Sequence, residues 1–343
     1  MAVRLLHRLV MRLSNRISPL FVVAVAVLAL CSSATAETLF EKPHVWTRNV
    51  SASEVSPRSD AIIETLGNSG GWGNGNVFQI DFGLVLLEAD AQTPRRTITK
   101  SPDGYCYDGP DCEPVPMQMP LPEYGATEGS EDYTCDITDN DCHVLVHDRA
   151  EAKLYELYRA TAHSSDFTAY GAFIWDLTRQ YDDTLRGDQC TSADAAGLPI
   201  APLIATADEV ASGLLPHALR FVLPNDRIKS GVYVRPATHA GAPESQHENA
   251  PAYGVRFRLK QGFDESAYLG PARVILRALK TYGMILADGG EIALTFADDR
   301  FTKARWAELG IESKTFASIP VADFEVVELG PEIPLTYECA REP

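Results

Sequence analysis

The sequence predicts an α+β fold: a mostly antiparallel β-sheet or sandwich with a few short helices, braced by disulfides. Three observations carry this. Short runs rich in β-branched and aromatic residues recur from 77 to 329, several of them alternating apolar with polar side chains. Helical periodicity is confined to a few short, scattered stretches. Six cysteines, an even number, follow the N-terminal apolar segment.

The N-terminus reads as an address. Arg4, Arg8, Arg12 and Arg16 precede an apolar run from Leu20 to Cys31, and Ala34-Thr35-Ala36 offers a small-residue cleavage site. A run of this length rises about 18 Å as a helix, short of a hydrocarbon core of roughly 30 Å. Residues 1–36 are therefore expected to be a secretory signal peptide. An arginine-rich transit peptide and a lipoprotein signal at Cys31 are the alternatives. Cleavage leaves 37–343 as a single extracellular α+β domain, secreted or periplasmic, with a Pro/Cys-rich excursion at 101–132 and no transmembrane anchor.

Elements follow in order. Residues 77–87 look like a strand pair broken near Gly83. Residues 143–147 and 153–159 read as a hairpin across Asp148–Ala152. Residues 170–177, 217–223, 231–235 and 253–260 also read as strands. Thr206 and Glu209 form a capping box opening a short helix that Gly213 closes. Pro271 starts a longer helix that stops at Gly283. Met284–Ala287 is a buried strand that Asp288-Gly289-Gly290 turns into a partner over 291–296. Thr302 can cap a last helix ending at Gly310, and Val326–Leu329 is the final strand.

The cysteines Cys106, Cys112, Cys135, Cys142, Cys190 and Cys339 suit three disulfides in an exported chain. Nearest neighbours suggest Cys106–Cys112, Cys135–Cys142 and Cys190–Cys339, among 15 possible pairings. Their spacing does not suit zinc. His143 and His147, at i and i+4 on a strand, lie about 13 Å apart, too far for one ion. No metal and no cofactor is expected.

Charge narrows the function. The chain carries 47 acids against 30 Lys and Arg, a formal charge of −17, which disfavours nucleic acid as a partner. Residues 217–280 run the other way, with ten cations against five acids. Within Gly254–Lys260, Arg256, Arg258 and Lys260 alternate with Val255, Phe257 and Leu259, so one strand face is apolar and the other cationic. With Arg220 and Arg235 they form a candidate site for an anionic ligand. The alternative is a solvated face balanced by the protein's own acids. Asp194 in the run Thr191–Gly197, His239 after Pro236, and Asp288 before Gly-Gly are candidate proton-handling groups. Each also has a plain structural reading: a capped one-turn helix, a loop histidine and a hairpin turn. Trp72, within the glycine-rich stretch 70–76, could stack on a sugar. The chain contains no GxSxG, HExxH or P-loop motif.

The ordered blocks TSADAAGLPI (191–200), HALRF (217–221), YVRPATH (233–239), GVRFRLK (254–260) and LKTYGMILADGG (279–290) resemble a family of exported bacterial proteins to which no activity is attached. The resemblance covers roughly 140–330. It departs from the family pattern at Cys190, Arg235 and Gly289, where a Trp, a Trp and an Asn are usual. It implies one extracellular module in which the two aspartates, the histidine and the basic strand belong to one framework.

The expectation from these residues is a secreted carbohydrate-active enzyme, a hydrolase or lyase, acting on an extracellular, anionic polysaccharide. Asp194, His239 and Asp288 would handle protons, and Arg220, Arg235, Arg256, Arg258 and Lys260 would bind substrate. A non-catalytic carbohydrate- or surface-binding module, or a structural envelope protein, are the alternatives.

Overall fold

Strand runs buried on both faces belong in the middle of a sheet, and the most continuous such run, Leu219–Leu223, is buried at every position. The computed structural model describes residues 38–107, 110–163 and 166–341. The expected signal peptide lies outside them. In chain order the strands are β1 (Ile80–Leu84), β2 (Leu86–Ala89), β3 (Arg95–Lys100), β4 (Met117–Pro120), β5 (Val144–Asp148), β6 (Lys153–Tyr158), β7 (Thr161–His163), β8 (Asp166–Ala169), β9 (Gly171–Asp176), β10 (Gly187–Asp188), β11 (Leu219–Leu223), β12 (Val232–Tyr233), β13 (Arg256–Leu259), β14 (Met284–Gly289), β15 (Leu294–Ala297), β16 (Phe324–Val327), β17 (Ile333–Pro334) and β18 (Ala340–Arg341).

The central sheet has six strands in the order β1-β15-β11-β14-β13-β16. It is mixed: β1 with β15 and β11 with β14 are parallel, and the other neighbours are antiparallel. Two four-stranded sheets, β2-β5-β6-β9 and β4-β3-β8-β7, flank a second core around Val146, Tyr155 and Phe167. The main core gathers Trp46, Trp72, Phe221, Phe257, Phe324 and their neighbours. Helices are short and few, so the protein is α+β and mainly β, as its residue pattern predicts.

Local chemistry explains the helices. Thr206 Oγ1 accepts from Glu209 N at 3.2 Å while Thr206 N donates to the Glu209 carboxylate at 2.9 Å, and Gly213 closes the turn with φ of 83°. Helix Gly270–Thr281 starts on Pro271 and packs against β13. Gly283 follows with φ of 72°, and a Cβ there would sit 2.5 Å from the Phe257 carbonyl.

Three sequence expectations change. The run 77–87 is two strands that do not pair with each other; β1 joins the central sheet and β2 pairs with β5 in the next. β14 and β15 are not a hairpin, because β11 lies between them. Residues 191–197 and 302–310 form bends and turns rather than helices. Within the Pro/Cys-rich stretch 101–132, β4 pairs with β3, and Met119 and Leu121 are buried in the second core.

The cysteines pair as Cys106–Cys112, Cys135–Cys142 and Cys190–Cys339. Among the described residues no helix is long and apolar enough to cross a membrane.

Candidate functional site

The site begins with a strand irregularity. Arg220 pairs with Ile285 across β11 and β14, but the register then shifts so that Val222 faces Asp288 instead of Ala287. Side chains alternate along a strand, so the extra residue turns Asp288 onto the face of Val222, which is also the face of Arg220. On the other side of β11, Arg220 reaches Thr295 of β15, and Thr295 is the register partner of Asp81 in β1. Asp81, Thr295, Arg220 and Asp288 thus share one face across four adjacent strands.

A loop closes over that face. Ser192 ties the segment after Cys190: its hydroxyl accepts from Asp194 N at 3.0 Å and donates to the Leu198 carbonyl at 2.5 Å. Gly197 has φ of 75°, and a Cβ there would lie 2.1 Å from Thr238 Oγ1. Only glycine allows the Thr191–Gly197 run to lie against Thr238 and His239. The result aims Asp194, fully buried, at Arg220. Arg220 Nε and Nη2 donate to the two Asp194 oxygens at 2.9 Å each. The same Nη2 donates to Asp288 Oδ2 at 2.6 Å, and Asp288 Oδ1 accepts from Gly289 N.

Glu128 and His143 come from the segment that leads into β5. Glu128 accepts from His143 Nδ1 at 2.6 Å, and His143 Nε2 donates to the Ala193 carbonyl at 2.9 Å. Two acceptors require two ring N–H groups, so His143 is an imidazolium. Burial works against that charge, but the Glu128 carboxylate outweighs it and lifts His143 to about 10. Glu128 in turn is held below the ordinary carboxylate range, since the His143 charge overcomes burial. Asp81 is raised by burial and then by the nearby Glu128 charge. Asp288 is pushed well above the carboxylate range, first by burial and then by the Asp194 charge. It nevertheless keeps 17% of its side chain exposed. Tyr253 feels both Asp288 and Asp194, and its buried hydroxyl has no hydrogen-bond partner among the described residues. Asp141 lies at the exposed edge, beside Tyr158 and within electrostatic reach of Asp288.

The face is therefore acidic: Asp81, Glu128, Asp141, Asp194 and Asp288 outnumber Arg220 and His143. Of these, Asp194, Arg220 and Asp288 are legible in sequence and are brought together. Asp81, Glu128 and Asp141 come from elements far away in the chain and carry no local motif.

The other candidate residues lie elsewhere. His239 is buried on the far side of the Thr191–Gly197 loop, with Nδ1 on the Ala195 carbonyl at 3.0 Å, and burial lowers its pKa. Its hydrogen bonds go to the Ala195 and Ala196 carbonyls and not to the Asp194 or Asp288 carboxylates. The cationic row of β13 does not face an open ligand site. Arg256 bonds Glu328 and the Val45 carbonyl, and Arg258 bonds Glu325 and the carbonyls of Val50 and Ser53. Both are buried, because residues 45–53 cover this face and their carbonyls need donors. Lys260 donates to the Ala322 carbonyl and Arg235 to Asp188. Trp72 is fully buried with its indole N–H on the Ile319 carbonyl, so it offers no stacking surface. His143 and His147 form separate pairs with Glu128 and Glu88.

A cleft of about 860 Å³ opens between residues 38–47 and the turn around Thr206–Glu209. Its walls include Leu39, Phe301 and the His217–Glu209 pair, and none of Asp194, Asp288 or His239. Among the described residues, Asp111 with Cys190 and Cys339 could crowd one metal ion, but both sulfurs are in the disulfide. No family model, curated protein or solved structure matches the chain.

Proposed function

We propose that this protein is an exported carbohydrate-active enzyme that hydrolyses a polysaccharide by acid–base catalysis, with Asp288 as proton donor. One observation carries the reading. Arg220 closes on Asp194 with two hydrogen bonds and gives Asp288 one, so Asp288 is a carboxyl beside a buried carboxylate, part-exposed on an acidic face. Like charges so close favour the proton on the second carboxyl, which is what glycoside cleavage asks of its acid. Asp141, exposed and within electrostatic reach of Asp288, and Asp81, on the same sheet face, are the candidates for the second carboxylate. In this reading Asp194 and Arg220 position Asp288 and touch no substrate.

The substrate is better read as uncharged than anionic. The arginines of β13 and Arg235 already hold carboxylates of the protein, and the face around Asp288 would repel uronate or sulfate. The three disulfides fit an oxidising compartment, periplasmic or extracellular.

The test is release of reducing ends from a panel of neutral and acidic polysaccharides by the purified protein, with Asp288→Asn as control. Release from a neutral glycan that the variant abolishes supports the reading. Unsaturated uronate products would indicate a lyase instead. Binding without any product would favour the non-catalytic module, for which the cleft beside Leu39 and Phe301 is the candidate seat.

A further inference from the structure

Two of the large side chains that remain exposed touch each other: Tyr107, 49% exposed, and Tyr337, 57% exposed, have ring centroids 6.0 Å apart. An exposed aromatic on a loose loop loses entropy when it is ordered against a ligand. These two are already held. Tyr107 lies within the loop closed by Cys106–Cys112, and Tyr337 stands two residues from Cys339, which is bonded to Cys190. Between and behind them His239 is buried, its ring 5.5 Å from Tyr107 and 5.7 Å from Tyr337, with Nε2 unpartnered among the described residues.

The aromatic surface continues toward the carboxyls. Cys106 N donates to the Tyr170 carbonyl at 2.7 Å, which holds the backbone beside Tyr107 on Tyr170. The Tyr170 ring meets Tyr158 edge-on at 6.3 Å, and Tyr158 adjoins both His143, at 5.6 Å, and Asp141. Tyr158 and Tyr170 are both half-buried. Along this path Arg186 and Arg341 both hold Glu113, Arg235 holds Asp188, and the Arg159 guanidinium stands 5.6 Å from the Tyr158 ring.

We infer that Tyr337, Tyr107, Tyr170 and Tyr158 are successive stacking subsites for the uncharged sugar rings of one polysaccharide chain, leading to Asp288. Rigid phenol rings suit this ligand, since a pyranose offers an apolar C–H face to the ring and hydroxyls to the phenol. The inference rests on the proposed hydrolase reading for its direction, and it names the substrate class of that site: a linear neutral glycan several residues long.

The experiment uses the Asp288→Asn protein, titrated calorimetrically with linear hexasaccharides of glucose, xylose and mannose and with the matching disaccharides. One hexasaccharide is expected to bind. Tyr107→Ala and Tyr337→Ala should each weaken it about 3- to 10-fold, while Tyr107→Phe, which keeps the ring, should stay within twofold. The disaccharide should be insensitive to both alanine changes. Circular dichroism checks that each variant is folded. Hexasaccharide binding untouched by both alanines, or no binding to any of the three, overturns the inference. Cleavage by the wild type is measured separately. Cleavage indifferent to Tyr107 and Tyr337 removes the subsites and leaves Asp288 standing. Tyrosine-dependent binding without cleavage does the reverse.

Discussion

Arg220 and Asp194 meet fork to fork, Nε to Oδ2 and Nη2 to Oδ1 at 2.9 Å each, with both side chains almost wholly withdrawn from water. Burying two charges is expensive, and only paired geometry of this quality offsets it. The guanidinium has further N–H groups, and these go to Thr295 and Asp288. The pair is therefore a structural strut and, at the same time, the mount on which Asp288 is held.

Removing one partner should expose that cost. Arg220→Met leaves Asp194 buried without its counter-charge, and the expected loss is about 3–5 kcal/mol of unfolding free energy. Urea denaturation measures it. The double variant Arg220→Met, Asp194→Asn should recover part of the loss, because no lone charge remains buried. A single variant as stable as the parent would show that the pair does not carry the strut.

Asp288→Asn separates activity from stability. The side chain keeps its shape and loses its proton, so the expected fall in polysaccharide hydrolysis is about 10²- to 10⁴-fold. Stability should hold or rise, since the variant removes a carboxyl that burial and Asp194 both disfavour as an anion. The acid acts in its protonated form, so wild-type kcat/KM should decline as pH rises through the elevated Asp288 value. That alkaline limb should be missing from the residual activity of the variant.

What is legible in sequence here has a local cause. The cap at Thr206 and Glu209, the helix start at Pro271 and the short disulfide loops follow from neighbours in the chain. Asp194, Arg220 and Asp288 stand out as candidates singly, but their union depends on the bulge at Ala287, which turns Asp288 to the other face and has no residue signature. The β13 arginines show the same limit from the opposite side. Alternation marks Arg256 and Arg258 as one face of a strand, but it does not reveal that residues 45–53 lie across that face and require their donors.

Glu156 supplies a pH dependence of folding. Its carboxyl is fully buried between strands, with Oε1 accepting from Ile200 N and Ala201 N and Oε2 from the Trp175 indole. Burial raises it from 4.5 to about 7, the three hydrogen bonds pull it back in part, and the Asp194 charge adds to the rise. A carboxyl whose folded value is raised stabilises the fold most below its unfolded value, and that contribution is lost as pH rises through the folded value. The expected loss attributable to Glu156 between mildly acidic and mildly alkaline pH is on the order of 3 kcal/mol. Glu156→Gln should remove this part of the slope while lowering stability at acidic pH, because its carbonyl oxygen can take the Ile200 and Ala201 N–H groups but its N–H₂ cannot accept from the Trp175 indole. The difference between wild-type and variant urea midpoints across that range is the measurement. An unchanged slope would mean that the carboxyl ionises in the folded protein near its ordinary value.

The disulfides make a graded test of chain entropy. Cys190–Cys339 closes a separation of 149 residues, whereas Cys106–Cys112 and Cys135–Cys142 close 6 and 7. In the loop-closure account, the long closure restricts the unfolded chain by about 5 kcal/mol and each short one by about 2 kcal/mol. The long bond also pins the antiparallel contact of β10 with β18 and the Tyr337 ring. Replacing Cys190 and Cys339 together by alanine should therefore lower unfolding free energy about twice as much as replacing either short pair. It should also loosen Tyr337, which the calorimetric titration would register as weaker hexasaccharide binding. Equal losses from all three pairs would mean that local contacts around each bond, rather than the length of chain it closes, set its contribution.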